Sequence, residues 1–357
     1  MVRFQEIKTK QLHSIIFLCG TNYRRDSKND KRNVLRDYIE EKFPDKKAII
    51  LEEHFVFGKS SKYLSYDEIF MKNLCDIEEL SAAFADGIII IHDSISTAAE
   101  LAAFASNPLL QNKICVLEPD STGLEEQKIS SFLELAFFHE KSEITRIPYY
   151  PEVYAHHISK NHIEKHSIFF ENSITPVLSG KIDQFLGRCG KTVSVEFEKM
   201  LYGKPRSDPG VISYRFEGKE LYVHLSGKIL LYQVIVMVGR KEIKEELERE
   251  RRLNEHVTLL TKRYREILRD TIQGLEREEA KDIHIRVREN HSSERDVIAY
   301  SLYMMQALKL LEFQREEDDS DCSSYRIRTK SGIREYWKNL KGLVSEEADM
   351  LAELVDE

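Results

Sequence analysis

Four consecutive isoleucines behind a glycine, Gly87-Ile88-Ile89-Ile90-Ile91, restrict this chain more than any other stretch. Side chains of a strand alternate between two faces, so an unbroken apolar run must be covered on both. That requirement is met by a parallel strand inside a layered α/β fold. His92 to Ile95 form a short polar crossing, and Ser96 or Thr97 is placed to cap a following helix. The helix is built from small residues, Ala98, Ala99, Ala102, Ala103 and Ala105, and residues 113–117 form the next strand. The fold class expected is α/β, an open parallel sheet with helices on both faces. Ligands of such sheets bind at the carboxyl ends of the strands. Glu100 falls there, placed to act on a substrate; the competing reading is an ordinary early-helix acid favoured by the helix dipole.

The segment from Ser94 to Ala105, SISTAAELAAFA, resembles the nucleophile segment of nucleoside 2-deoxyribosyltransferases, where Asp-Ser-Gly-Thr-Ala-x-Glu leads into a small-residue helix. Asp76, the pair Asp86 and Gly87, and the run from Ile15 to Asn22 fit the same family pattern. Within that group the chain resembles the N-glycosidase effectors of bacterial retron anti-phage systems, which join a sugar-transfer fold to a winged-helix-like C-terminal region. The resemblance implies Glu100 as nucleophile and Asp76 as the group orienting it or the ribose. It implies substrate contacts from Cys19, Gly20, Thr21, Asn22, Asp93, Ser94, Ser96 and Thr97. Ser94 stands where the family opens its motif with an acid, Ser96 replaces a Gly, and the late Asn-Asn ending is missing. These departures argue against base exchange and leave glycosidic cleavage in place.

The chain has 357 residues, enough for two or three domains with substantial cores. The expected division is 1–151 for the deoxyribosyltransferase-like domain, 152–278 for a mixed α+β middle region, and 279–357 for a winged-helix-like module with an acidic tail. Five dispersed cysteines without a CxxC pair fit free thiols in a reducing cytoplasm. No secretory signal pattern follows Met1, and the longest apolar run, 229–238, is too short to span a bilayer, so a cytoplasmic location is expected. A net charge of −8 gives no general affinity for nucleic acid, so any such contact needs a local basic patch.

In the first domain, residues 14–18 form a strand, 30–43 a helix and 48–51 a second strand ending in Glu52 and Glu53. The polar stretch 58–66 has the composition of a loop over the site and lacks the rest of a P-loop. Histidines 156, 157, 162 and 166 cluster further on. His162 and His166 share a face if the segment is helical, but no third ligand is evident, and solvated or hydrogen-bonded roles fit better than a metal site. Residues 211–216, 221–225 and 229–238 read as three strands of an antiparallel meander. From 240 to 275 apolar residues recur at helical steps, interrupted between Leu247 and Leu253. That helix either docks a partner or packs on its own core.

Residues 293–314 carry a helix and the sequence LLEFQ. An acidic loop (316–321), the strand-like YRIRTK and a helix with Ile333, Tyr336, Trp337 and Leu340 follow, the order of a winged helix. Between 325 and 341 six basic residues face one acid, a local +5: Arg326, Arg328, Lys330, Arg334, Lys338 and Lys341 against Glu335. Such a patch suits phosphates, whereas the acidic loop beside it suits a protein-docking module. Two functions remain. One is a toxic retron effector that cleaves the nicotinamide–ribose bond of NAD or a related nucleotide, with NAD as substrate and no cofactor. The resemblance implies control by a retron reverse transcriptase and its RNA–DNA product, and assembly as a homo-oligomer. The other is a catalytically silent nucleotide sensor coupled to a binding tail.

Overall fold

A computed structural model describes residues 2–10, 13–20, 23–24, 30–54, 74–119, 131–149, 155–159, 162–165, 169–170, 173–190, 193–201, 204–314 and 324–344. The chain falls into two interleaved compact units. One comprises Met1–Leu12, Phe55–Phe84 and Thr192–Glu357; the other comprises His13–His54 and Ala85–Lys191. Segments 1–12 and 55–84, expected in the first domain, thus group with the C-terminal half. Elements are numbered along the whole chain, so β1 (Ile7–Lys10) belongs to the first of these units and β2 (Ser14–Cys19) opens the second.

The unit holding β2 continues through α1 (Lys31–Lys42), β3 (Lys46–Ile50), α2 (Leu51–His54), β4 (Gly87–Ile91), α4 (Ile95–Ala105), β5 (Ile114–Pro119), α5 (Ser131–Phe137) and β6 (Thr145–Tyr149). Two short hairpins, β7 (Ala155–Ser159) with β8 (His162–Lys165) and β9 (Phe169–Phe170) with β10 (Ser173–Ile174), precede α6 (Pro176–Leu186). His156, His157 and His162 therefore lie on strands rather than a helix, and His166 lies outside the described residues. The five-stranded sheet runs in the order β3-β2-β4-β5-β6, with every neighbouring pair parallel. Ile16, Leu18, Ile89 and Ile91 share a core cluster with Leu35 and Ile39 of α1 and with Leu178, Ile182 and Phe185 of α6. On the opposite face, Phe17 meets Phe104 of α4 with ring centroids 6.2 Å apart. Helices thus cover both faces, as the isoleucine run requires.

At the amino edge of this sheet, Asp86 accepts a hydrogen bond from the Ile15 amide at 3.0 Å. A Cβ on Gly87 would sit 2.7 Å from the Cys189 sulfur. These two residues, which fit the family pattern, hold the sheet together at the end opposite the candidate site.

The other unit has a mixed sheet, β1-β11-β12-β13-β15, formed with β11 (Val193–Lys199), β12 (Val211–Glu217), β13 (Glu220–Leu225) and β15 (Asp282–Val287). It also holds α3 (Leu74–Phe84), α7 (Gly227–Val238), α8 (Lys241–Leu247), α9 (Leu253–Glu276) and α10 (Glu294–Ala307). A second sheet, β14-β17-β16, combines β14 (Arg251–Arg252), β16 (Leu311–Gln314) and β17 (Ser324–Thr329), before α11 (Ile333–Leu340). The antiparallel pair β12–β13 appears as expected, but residues 229–238 form a helix, not a third strand. Ser226 caps α7 by accepting from the Ile229 amide, and nearly the whole helix is buried. A helix covered on all sides carries no amphipathic period, so its β-branched residues imitate a strand. The helix expected over 240–275 is broken into α8 and α9 by the β14 bridge, where the apolar spacing skips. The helix expected within 293–314 ends at Ala307, and Leu311–Gln314, within the LLEFQ sequence that follows it, is a strand.

His256 is fully buried on α9, and its Nε2 lies 2.8 Å from the Tyr325 carbonyl oxygen, to which it donates as the N–H tautomer. Burial holds its pKa below the usual histidine value; the carbonyl contact opposes this and Arg251 reinforces it. His224 is shifted down likewise, by burial and by Arg286, Arg215 and Arg288. In the unfolded chain both bind protons below a pH of about 6.5. Between that pH and the lower folded values the unfolded state holds more protons, so stability is complete above about 6.5 and falls as pH drops. Melting temperature is expected to decline from neutral pH to about pH 5. In His256→Gln, which keeps a donor but cannot titrate, the decline is expected to be shallower; an unchanged slope would rule His256 out.

Candidate functional site

The order β3-β2-β4 places β2 between the strands that follow it on either side. The crevice between the carboxyl ends of β2 and β4 is therefore a topological switch point, the usual ligand position in open α/β sheets. Cys19 is the buried last residue of β2, and Gly20 follows it. Thr21 and Asn22 lie outside the described residues. Across the crevice, β4 runs into the buried His92, then Asp93 and the start of α4.

The turn into α4 is fixed by its own side chains. Ser94, not Ser96 or Thr97, is the N-cap, and its hydroxyl accepts from the Thr97 amide at 3.3 Å. Thr97 closes a capping box: its Oγ1 accepts from the Ser94 amide at 3.1 Å and donates to the Ser94 carbonyl at 2.8 Å. The Ser94 and Ser96 hydroxyls are 2.8 Å apart. Three candidate substrate contacts thus belong to the cap, and the chain enters the helix two residues earlier than expected because Ser94 already has its N3 partner. Glu100 lies three residues beyond Thr97 and four beyond Ser96, on the same helix face. It is half-buried, with Oε2 shielded from solvent.

Facing β4, the N-terminus of α1 supplies residues that sequence reasoning missed. Arg32 is fully buried. Its Nε and Nη2 donate to the two Asp30 oxygens at 3.1 and 3.0 Å, and its Nη1 donates to the Gly20 carbonyl at 2.9 Å and to Glu52 at 2.5 Å. Burial opposes the charge on this guanidinium, but its bonds to Asp30 and the nearby Glu52 outweigh burial and raise its pKa. Asp30 also caps α1, accepting from the Arg32 amide at 3.0 Å. Arg32 therefore ties the end of β2, the start of α1 and α2 into one edge.

Lys31 reaches Asp93 at 3.8 Å and donates to the Tyr149 hydroxyl at 3.0 Å, joining α1 to the ends of β4 and β6. Burial lowers the Lys31 pKa against the pull of Asp93 and Asp30. Burial, helped by Asp93, raises that of Tyr149, so the phenol keeps its proton. Asp30, Glu52 and Asp93 are three carboxylates on this edge, against two cations, Lys31 and Arg32. The edge is net acidic and suits a substrate that develops positive charge. The only advance signal was the run Asp30-Lys31-Arg32 at a helix start, which has the composition of a solvated first turn.

The second catalytic candidate, Asp76, is half-buried in the first turn of α3 and belongs to the other unit. That unit also carries the basic candidates. Arg326 and Arg328 alternate with buried Tyr325 and Ile327 on β17 and share its outer face. Arg326 is 3.4 Å from Glu250, and Lys330 is 3.3 Å from Glu312. Arg334 and Lys338 are exposed on α11, one turn apart. The acidic loop at 316–321 lies outside the described residues. Among the described residues, no cluster of three or more His, Cys, Asp or Glu could hold a metal ion. No helix among them is long and apolar enough to cross a membrane.

Removing one partner of a buried, hydrogen-bonded ion pair typically costs about 3–5 kcal/mol. Arg32→Ala, which strands Asp30, is expected to destabilise the protein by that order in chemical denaturation. Arg32→Lys is expected to fall between, because one ammonium cannot span Asp30, Glu52 and the Gly20 carbonyl. A loss below about 1 kcal/mol for the alanine variant would show that the edge holds without this guanidinium.

Residues 28–200, just under half of the chain, match the family described as STM3845 retron effector protein. The match spans α1 to β11 and includes Asp76 and Glu100. No curated protein matches the chain. The family match supports a retron effector.

Proposed function

We propose that the chain is the toxic effector of a retron anti-phage system, an N-glycosidase that cleaves the nicotinamide–ribose bond of NAD or a related nucleotide with Glu100 as nucleophile. One observation carries this reading. Glu100 stands on the helix that leaves β4 at the switch point of a parallel sheet, beside a net acidic edge. In the reaction the Glu100 carboxylate bonds to the anomeric carbon as the carbon–nitrogen bond breaks. Nicotinamide is cationic in NAD and departs neutral with the bonding electron pair, so no general acid is required. Water then attacks the glycosyl-enzyme ester, releasing the sugar and restoring the carboxylate. Cys19, Gly20, Thr21 and Asn22 would present backbone N–H groups to the sugar or phosphate, and Asp93 and Ser96 would contact the ribose side. The fold would be deoxyribosyltransferase-like, and α10, β16, β17 and α11 would form the winged-helix-like module.

The commitment of the Ser94 and Thr97 hydroxyls to the helix cap favours a second reading, a silent nucleotide sensor. The two diverge at Glu100. Glu100→Gln preserves size and packing, and in the glycosidase reading it is expected to lower nicotinamide release from NAD by about a thousandfold or more. Chromatography of the reaction mixture measures this. Equal release by variant and wild type would remove Glu100 from the mechanism, and no release by the wild type with its partners would favour the sensor.

An active NAD glycosidase would kill its own cell, so its partners, a reverse transcriptase and the RNA–DNA product, would restrain it in a cytoplasmic assembly containing more than one copy of the chain. Expression alone is expected to arrest host growth, and co-expression with both partners to restore it. Growth arrest that is indifferent to the partners, together with no co-purification, would sink this arrangement.

A further inference from the structure

We infer that the groove between α9 and the edge strand β15 holds the phosphodiester backbone of the nucleic-acid partner. The inference rests on the retron reading for the partner and names a surface distinct from the C-terminal patch. The groove measures about 440 Å³. One wall is a stripe of α9, Thr258, Lys262, Arg265 and Arg269, recurring every helical turn along about 16 Å. Lys281 and His284 from β15 and its approach, with Arg295 from α10, line the remainder.

The groove is basic in an acidic chain. Its lining holds five cations (Lys262, Arg265, Arg269, Lys281, Arg295) against three acids (Glu220, Glu266, Asp282), a local +2 in a chain of −8. Arg265 is held by Glu294 at 2.8 Å and by the Ile283 carbonyl at 3.3 Å, and Arg269 by Asp270 at 3.4 Å. These contacts fix the two guanidiniums in place. Lys262 and Lys281 are exposed and make no ion pair among the described residues. Two committed arginines with two uncommitted lysines beside them form a track that exchanges small counterions for phosphates.

A second feature fits nucleic acid better than an acidic peptide. His284 stacks on Tyr222 with ring centroids 4.7 Å apart and planes 19° from parallel, and the Arg215 guanidinium lies over the same Tyr222 ring at 5.0 Å. This planar stack borders the groove, and bases leaving a single-stranded backbone stack on such platforms without regard to sequence.

The test uses the purified full-length chain and a labelled mixed-sequence single-stranded DNA, an RNA of the same sequence, and the retron's RNA–DNA product, each at two salt concentrations. Lys262→Glu with Lys281→Glu is expected to weaken binding about tenfold or more and to reduce the salt slope by about 1.4, two phosphates' worth for a single strand. Lys262→Arg with Lys281→Arg is expected to bind as wild type, and circular dichroism checks that each variant is folded. If the folded Glu variant binds as wild type while reversal of Arg326, Arg328 and Lys330 abolishes binding, the groove proposal is overturned and the retron reading stands. If the Glu variant keeps its nucleic-acid affinity but loses the reverse transcriptase, the groove is a protein site and the proposal is again overturned. A wild-type chain that binds none of the three probes overturns the proposal together with the nucleic-acid partner it presumes.

Discussion

Everything at the candidate site depends on a parallel sheet that must be shut off from water on both faces. Parallel neighbours cannot be joined by a tight turn, so each connection crosses a face and buries it as it goes. In the unit built around β2 and β4 this yields α1 and α6 on one face and α4 on the other. The polar residues that the faces cannot accept are left for the ends of the strands. The edge with Cys19, Asp93 and Tyr149 is where the chemistry has room.

That edge is held by charge rather than by packing. Arg32 reaches three separate stretches of chain, and Lys31 reaches two more. A buried guanidinium surrounded by apolar residues alone would be prohibitively costly, and Asp30, Glu52 and the Gly20 carbonyl make it tolerable. Such an arrangement sets distances closely, which the proposed glycosidase would need more than added stability. It also keeps the crevice free of excess positive charge, an advantage where an oxocarbenium-like centre must form.

The parts legible in the sequence were those whose physics is local. The run Gly87–Ile91 and the small-residue helix after it announced a buried strand and a crossover, and residues 14–18 and 30–43 were placed to within a residue or two of β2 and α1. The α7 helix was misread because burial on all sides erased the periodicity that distinguishes a helix from a strand. The skipped step between Leu247 and Leu253 did carry information, and the helix is interrupted there. Arg32 gave no signal, since an arginine in a first turn is ordinarily solvated and only the tertiary fold buries it. Asp76 was paired with Glu100 only through the family resemblance, and the grouping of Phe55–Phe84 with the C-terminal half is a non-local property that no spacing reveals.

That interleaving bears on how the protein is made. The unit with Glu100 has all of its chain by Lys191, whereas the other cannot close until strands and helices far beyond Thr192 exist. During synthesis the parallel sheet can therefore assemble with residues 55–84 looped out, awaiting partners such as α7 and α10 that the ribosome has yet to deliver. Ser81 and Tyr300, whose hydroxyls meet at 2.5 Å in the finished protein, are separated by 219 residues. A nascent chain thus passes through an interval in which the edge that carries the candidate site is complete and its long-range unit is not. The speed of translation over the last third of the message becomes a variable in how long such half-finished chains persist.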